Sequence, residues 1–226
     1  HHGREWLTTN LVMEMLDVYA AAYANGNDIY GYNSSILNDV SIWFVPMVNP
    51  DGVTLQQRGL TAFPQKYHKR LIAMNKGSTN FERWKANAVG IDLNRQYPAG
   101  WNEIVGDIPE PFYKLYKGKK PLEAKEVKAL VAFTKEINPE ITVAYHSTGR
   151  VLYWSFGNCD DYIVRDLRIA KKISKATNYE LEKPIKTAVG GGYTDWFIKE
   201  FNKPGFTPEI SYPINEGSPP LSIFGE

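Results

Sequence analysis

The chain has 226 residues, 43% hydrophobic and 13% aromatic, enough to bury one substantial core and too balanced in composition for disorder. Its formal charge of +1 comes from both signs spread along the sequence, which argues against nucleic acid or an anionic membrane surface as partner. The single cysteine, Cys159, excludes an intramolecular disulfide and a thiolate-rich metal site, so imidazole and carboxylate are the ligands to look for. Cys159 itself is expected to be a small buried residue.

In chain order, Leu7, Leu11, Met15, Tyr19 and Ala22 repeat at helical spacing until Asn25-Gly26 stops the helix. Ser41 to Val48 reads as a buried strand ending in a turn at Asn49-Pro50-Asp51-Gly52. Residues 53 to 89 are mixed and read as a long excursion. Ile91 to Leu93 is expected to be a short strand, and Gln96 to Lys120, rich in Pro, Gly and aromatic residues, a surface loop over the site. Leu122 to Ile137 is an amphipathic helix, and Ile141 to Tyr145 a strand whose end delivers His146. Val151 to Phe156 is a second strand and Asp161 to Thr177 a helix. After the Gly190-Gly191-Gly192 hinge, Thr194 to Phe201 is a short helix and Phe206 to Ser211 the last strand. Alternating helices and apolar strands predict one α/β domain over 1–226, with a mixed, largely parallel twisted sheet and helices on both faces. No apolar run reaches the length of a membrane span, and no signal-like segment begins the chain.

Ligand chemistry concentrates at four places. His1-His2-Gly3-Arg4-Glu5-Trp6 holds a His-x-x-Glu step, close to chance on its own. It gains weight from Gly90-Ile91-Asp92-Leu93-Asn94-Arg95, from Ala144-Tyr145-His146-Ser147 and from Gly205-Phe206-Thr207-Pro208-Glu209, each setting polar groups at the end of an apolar run. Sites of open α/β sheets gather outside the carboxyl ends of strands, so these segments can converge on one crevice. His2, Glu5 and His146 then form a set of two imidazoles and a carboxylate, which suits one zinc ion per chain and leaves a coordination position open. A zinc-bound imidazole needs an acceptor for its other N–H, the role expected of Asp92. Glu209, inside an otherwise apolar strand, is costly unless functional and is the expected general base and acid. His1 could compete as a ligand, and His68 reads as a solvated surface residue.

With these motifs in order, the chain resembles the zinc carboxypeptidase (metallocarboxypeptidase) family, and within it the bacterial γ-D-glutamyl-L-diamino acid endopeptidases. The resemblance specifies the three-residue His2-to-Glu5 step and pairs Asp92 with His2. It implies that Asn94 and Arg95 grip the free carboxylate of the substrate residue beyond the scissile bond, and that Arg4 lies in the substrate groove. Two positions depart from the family pattern. Lys85 stands where an arginine polarises the scissile carbonyl, with Arg83 the alternative. Thr187 stands where digestive carboxypeptidases carry a mobile tyrosine, a role Tyr193 could take, and the residue at the bottom of the specificity pocket is Thr194. With a ligand at residue 2 and a closing helix that relatives usually add past Ser222, the zinc peptidase domain over 1–226 is expected to be incomplete at both ends.

The resemblance implies a zinc peptidase that hydrolyses the γ-D-glutamyl–diamino acid bond of peptidoglycan stem peptides, through zinc-activated water and a Glu base. The alternatives are a conventional carboxypeptidase that trims C-terminal residues, and an inactive peptide-binding module. The expected partner is a peptide, not nucleic acid, and the expected place is extracellular or at the cell wall, with the cytoplasm as alternative. Oligomeric state leaves no signal.

Overall fold

The computed structural model describes residues 1–158, 160–182 and 190–223. Cys159 and Thr187 lie outside the described residues. Helix α1, Leu7–Asn25, stops at Gly26, whose left-handed backbone (φ 65°) turns its N–H onto the carbonyls of Ala22 and Tyr23. A small hairpin of β1, Asp28–Ile29, and β2, Tyr32–Asn33, follows. The Asn49-Pro50 step opens a helix and not a free turn: Asn49 accepts the Gly52 N–H as N-cap and Pro50 supplies the preset φ of the first turn of α2, Pro50–Arg58. With α3, Gln65–Met74, it turns the expected excursion into ordered structure around Leu55, Leu71, Met74, Phe81, Trp84 and Tyr113.

After α3 come α4, Lys125–Ile137, β3, Thr142–Val143, β4, His146–Ser147, and β5, Val151–Tyr153. Then follow α5, Asp160–Thr177, β6, Glu180–Leu181, α6, Tyr193–Phe201, and β7, Gly205–Ile210. The sheet runs β3-β7-β5-β6, with β4 also on β7. The β3, β4 and β6 pairings are parallel and β5 on β7 is antiparallel, which is the mixed, largely parallel sheet expected. Alternation along β7 assigns its faces. Phe206, fully buried, packs in the cluster that includes Ala170 of α5, whereas the Thr207 hydroxyl meets Thr194 of α6 at 2.7 Å. Helices therefore cover both faces, and Glu209 shares the face of Thr207.

Three sequence expectations are corrected. Residues 41–48 form no strand. They make no backbone–backbone hydrogen bond with the described residues, and Trp43 is 59% exposed. Their apolar pattern is that of a buried strand, but an apolar groove of about 330 Å³ separates them from Ile141–Tyr145, so no ladder forms. The segment is held instead by Thr9, which donates to the Pro46 carbonyl at 2.8 Å, and by aromatic contacts of Phe44 with Tyr19 and Trp43 with Phe133.

Ile91 to Leu93 is likewise no strand. Its groups pair singly, Asp92 N–H with Tyr116 and Ile91 with Asn87, and the Asp92 side chain caps a short 3-10 turn, Leu93–Arg95. Gln96 to Lys120 is irregular but is no surface loop, because Tyr97, Ile104, Tyr113 and Tyr116 are buried anchors. Fully buried Gln96 accepts the N–H groups of Glu123 (2.7 Å) and Ala124 (2.9 Å) and donates to the Lys117 and Lys120 carbonyls, tying the loop to the start of α4.

Candidate active site

The His-x-x-Glu step folds as a 3-10 turn, Gly3–Glu5, with His2 at its N-cap. Three residues per turn eclipse i and i+3, so both side chains leave on one side, and His2 Nδ1 lies 2.8 Å from Glu5 Oε1. The turn is pressed against α2. A Cβ on Gly3 would stand 2.6 Å from the Gly52 carbonyl oxygen, and one on Gly52 2.5 Å from that of Ala86, so only glycine allows the approach. Asn49 locks it, donating to the carbonyls of His1 (2.8 Å) and Ala86 (3.1 Å).

His146 arrives on β4, where the parallel register sets it beside Glu209 of β7. Its Nδ1 is 2.8 Å from Glu5 Oε2 and 3.2 Å from His2 Nδ1. On the outer side of His2, Nε2 lies 3.2 Å from Asp92 Oδ1. Asp92, 1% exposed, is itself fixed by the N–H groups of Asn94 (3.2 Å) and Leu115 (3.0 Å). A proton on Nε2, shared with Asp92, leaves the His2 Nδ1 lone pair turned into the cluster. Replacing Asp92 by Asn is therefore expected to weaken metal affinity by about tenfold or more, read by competition with a chromogenic chelator. Unchanged affinity would remove Asp92 from this role.

The electrostatics agree with the geometry. Burial opposes the charge on Glu5, but His2, Lys85 and hydrogen bonds from both imidazoles outweigh it and hold the carboxyl well below the usual range. Asp92 is held low in the same way, burial being overcome by His2 and then Arg95 and Lys85. Burial lowers His146 to about 4 despite the pull of Glu5, so its imidazole is neutral at neutral pH. Two imidazole nitrogens and an anionic carboxylate, all buried and within 4.8 Å of one another, thus face one point. A proton can serve only one of the two inward nitrogens, whereas a divalent cation takes all three ligands at once. The donor set fits zinc.

Glu209 and Lys85 line the small polar cavity beside this cluster. Burial, and then the charge of Glu5, push the Glu209 carboxyl up to about 8, with Lys85 and Arg4 opposing. Lys85 Nζ is 3.4 Å from Glu5 Oε1. Arg83 is turned away, bonded to Asn75 and stacked on Tyr113 at 4.2 Å, so Lys85 is the cation brought to the cluster. Arg4 lines the same cavity.

Other expected positions are not brought to it. Asn94 accepts the Tyr193 N–H at 3.2 Å, Arg95 donates to the Asn94 carbonyl at 3.1 Å, and neither lines the cavity. Tyr193 does not act as a mobile tyrosine: its ring is buried and its hydroxyl is engaged by Thr134 (3.1 Å) and Thr142 (3.3 Å). Thr194 is buried against Thr207. Its neighbour Asp195 is pushed up to about 6 by burial, opposed by the Gly192 N–H and Arg95. His1 is engaged by the Tyr97 hydroxyl at 2.7 Å and stacks its ring on His146 with centroids 6.0 Å apart, outside the three-ligand group, and His68 is half-buried on the Phe63 carbonyl. Sequence reading missed Asn49, although Asn before Pro is an N-cap signal. It also missed Ser147, next to His146 on its strand, whose N–H donates to Glu5 at 3.3 Å.

The fold and the cluster define a protein with a mononuclear metal centre, two imidazoles and one carboxylate, at the carboxyl ends of sheet strands. The chain belongs to the zinc carboxypeptidase family, whose profile matches residues 1–217, and that family uses zinc. It is 38% identical over 225 residues to Gamma-D-glutamyl-L-diamino acid endopeptidase 1 of Lysinibacillus sphaericus, covering 98% of this chain and 54% of that protein. Metallocarboxypeptidase A of Trichophyton rubrum is 30% identical over 160 residues, 69% of this chain and 34% of that one. The solved structure of bovine thrombin-activatable fibrinolysis inhibitor in complex with tick carboxypeptidase inhibitor has the same fold, with a TM-score of 0.66 and 16% identity. That match covers 96% of this chain and 70% of the other. The chain thus spans about half the length of the endopeptidase it matches.

Proposed function

We propose that the protein is a zinc peptidase that hydrolyses the γ-D-glutamyl–diamino acid bond of peptidoglycan stem peptides. The observation that carries the reaction type is the convergence of His2, Glu5 and His146 beside a cavity walled by Glu209 and Lys85. The substrate class is supported by the likeness to the Lysinibacillus endopeptidase over nearly the whole chain. His2, Glu5 and His146 would hold a zinc ion, which would supply Lewis acidity for the scissile carbonyl and the attacking water at neutral pH.

The chain's own groups do the rest. Glu209 accepts the proton of the attacking water and returns it to the leaving amine, for which a carboxyl raised by a dry wall is suited. Lys85 faces the oxygen on which negative charge develops, as a point charge without the fork of an arginine. The family likeness assigns the free carboxylate of the diamino acid to Asn94 and Arg95, which stand outside the polar cavity; Arg95 has one guanidinium N–H engaged, on Asn94, among the described residues. This carboxylate adjoins the bond being cut, so a carboxypeptidase anchor serves a wall peptidase. The reading places the protein at the cell wall.

Incubation of the zinc-loaded protein with L-Ala-γ-D-Glu-diaminopimelate is expected to release diaminopimelate and L-Ala-D-Glu. Cleavage only of a plain C-terminal dipeptide series would make it a conventional carboxypeptidase, and zinc well below one per chain would make it a binding module.

A further inference from the structure

His1 and Tyr97 meet in a hydrogen bond beside the metal ligands, and no step of the hydrolysis uses them. The two imidazoles of the ligand set are steadied unequally. His2 has its outer nitrogen on Asp92 at 3.2 Å, and Asp92 is itself fixed by two backbone N–H groups. His146 has no such tie: among the described residues, its side chain makes hydrogen-bonding contacts only through Nδ1, the nitrogen that faces Glu5 and His2. A hydrogen bond on the outer nitrogen is the usual means of fixing the ring plane of a metal-bound imidazole. For His146 the plane is set by what the ring touches.

Two imidazole rings touch it. His2 lies across it, with centroids 4.8 Å apart and 65° between the planes, and His1 lies nearly parallel to it, at 6.0 Å and 19°. The second geometry is that of an offset stack. His1 can serve as a fixed wall because it is anchored twice, by Asn49 on its carbonyl at 2.8 Å and by the Tyr97 hydroxyl on its Nε2 at 2.7 Å. Tyr97 in turn is fully buried, donates its N–H to the Gly191 carbonyl at 3.0 Å and stacks on Trp196 of α6 at 5.8 Å. Tyr193 closes the group, 5.5 Å from the Tyr97 ring and 5.9 Å from that of His1. A train of aromatic contacts thus runs from the core under α6 to the one imidazole ligand without a hydrogen-bonded outer nitrogen.

We propose that His1 is a positioning residue for His146: stacked on its ring and anchored by Tyr97, it keeps Nδ1 turned toward the other two ligands. The inference rests on the zinc-centre reading above. His1 stands outside the group of three residues whose ligand atoms lie within 4.8 Å of one another, so it acts through His146 and not on the metal. An imidazole free to swing has rotamer freedom to lose when it takes up a cation, and a ring already held has less. Removing the wall therefore weakens metal binding and loosens the ligand geometry, while the three ligands themselves remain.

The test reads the metal centre without turnover, by zinc competition against a chromogenic chelator and by the visible absorption of the cobalt(II)-substituted protein, which reports ligand geometry. His1→Ala is expected to lower zinc affinity about tenfold and to shift and weaken the cobalt bands. His1→Phe restores a flat ring without a ring nitrogen and should recover most of both. Tyr97→Phe keeps its ring in the core and removes only the hydroxyl that anchors His1, so affinity should fall by about threefold with the same spectral change. Unchanged affinity and spectrum in His1→Ala overturn the assignment and leave the peptidase reading standing. Where His1→Ala is not recovered folded, an unaltered Tyr97→Phe overturns it instead. Failure of His1→Phe to recover either readout also overturns it, since His1 would then act through its nitrogen. An unsubstituted protein that takes up neither metal ends the zinc reading, and the inference with it.

Discussion

Glu209→Gln is expected to keep its zinc and to lose turnover by on the order of 10³ to 10⁴, the share that a positioned acid–base group contributes. The metal should stay because its ligand atoms belong to His2, Glu5 and His146, while Glu209 lies beside His146 on the neighbouring strand. Zinc lost from the variant would instead make Glu209 a ligand or a residue the fold requires. The same substitution carries a pH signature in the metal-free protein. Glu209 is raised from 4.5 to about 8, first by burial and second by the charge of Glu5. Between those values the native state holds a proton that the unfolded chain has released, so stability falls as pH rises through that window. Glu209→Gln cannot titrate, and its unfolding free energy, measured by denaturant titration across the same range, should decline less steeply. Matching slopes would mean that Glu209 is ionised in the native protein. Zinc on Glu5 offsets the second cause of the shift, so metal loading favours the ionised base at neutral pH.

The site was more legible in the sequence than the scaffold around it, and the reasons are physical. His2 and Glu5 are one 3-10 turn apart, and His146 and Glu209 end apolar runs, so spacing and strand polarity, read together with the ordered family motifs, bring them together. The helices from Leu7 and from Lys125 were readable for the same reason, since periodicity is a local property. Ser41 to Val48 has the composition of a buried strand, yet a strand exists only with a neighbour, and pairing is not written in the segment itself. The stretch after Gln96 reads as a surface loop from its Pro and Gly, whereas its course is decided by Tyr97, Tyr113 and Tyr116 sinking into two cores. Tyr193 failed for a related reason: a hydroxyl beside glycines looks available until Thr134 and Thr142, far off in sequence, engage it.

His146→Ala should reduce zinc from one per chain to a small fraction of that, and peptidase activity with it. His146 is the one ligand supplied from the sheet, and without it only the His2–Glu5 turn remains to hold the ion. The effect can be separated from misfolding by thermal unfolding with and without chelator. Ligand binding stabilises the native state by about 2.7 kcal/mol when free zinc is a hundred times its dissociation constant. The unsubstituted protein should therefore lose several degrees of Tm on chelation, whereas His146→Ala should melt at one temperature in both conditions. That temperature should be close to that of the metal-free unsubstituted protein. Removing the imidazole deletes its 3.2 Å contact with His2 and leaves a small buried cavity, so any residual difference should be a modest lowering. A variant that still shifts on chelation would show that zinc binds through other groups, and the assignment of His146 as a ligand would fall.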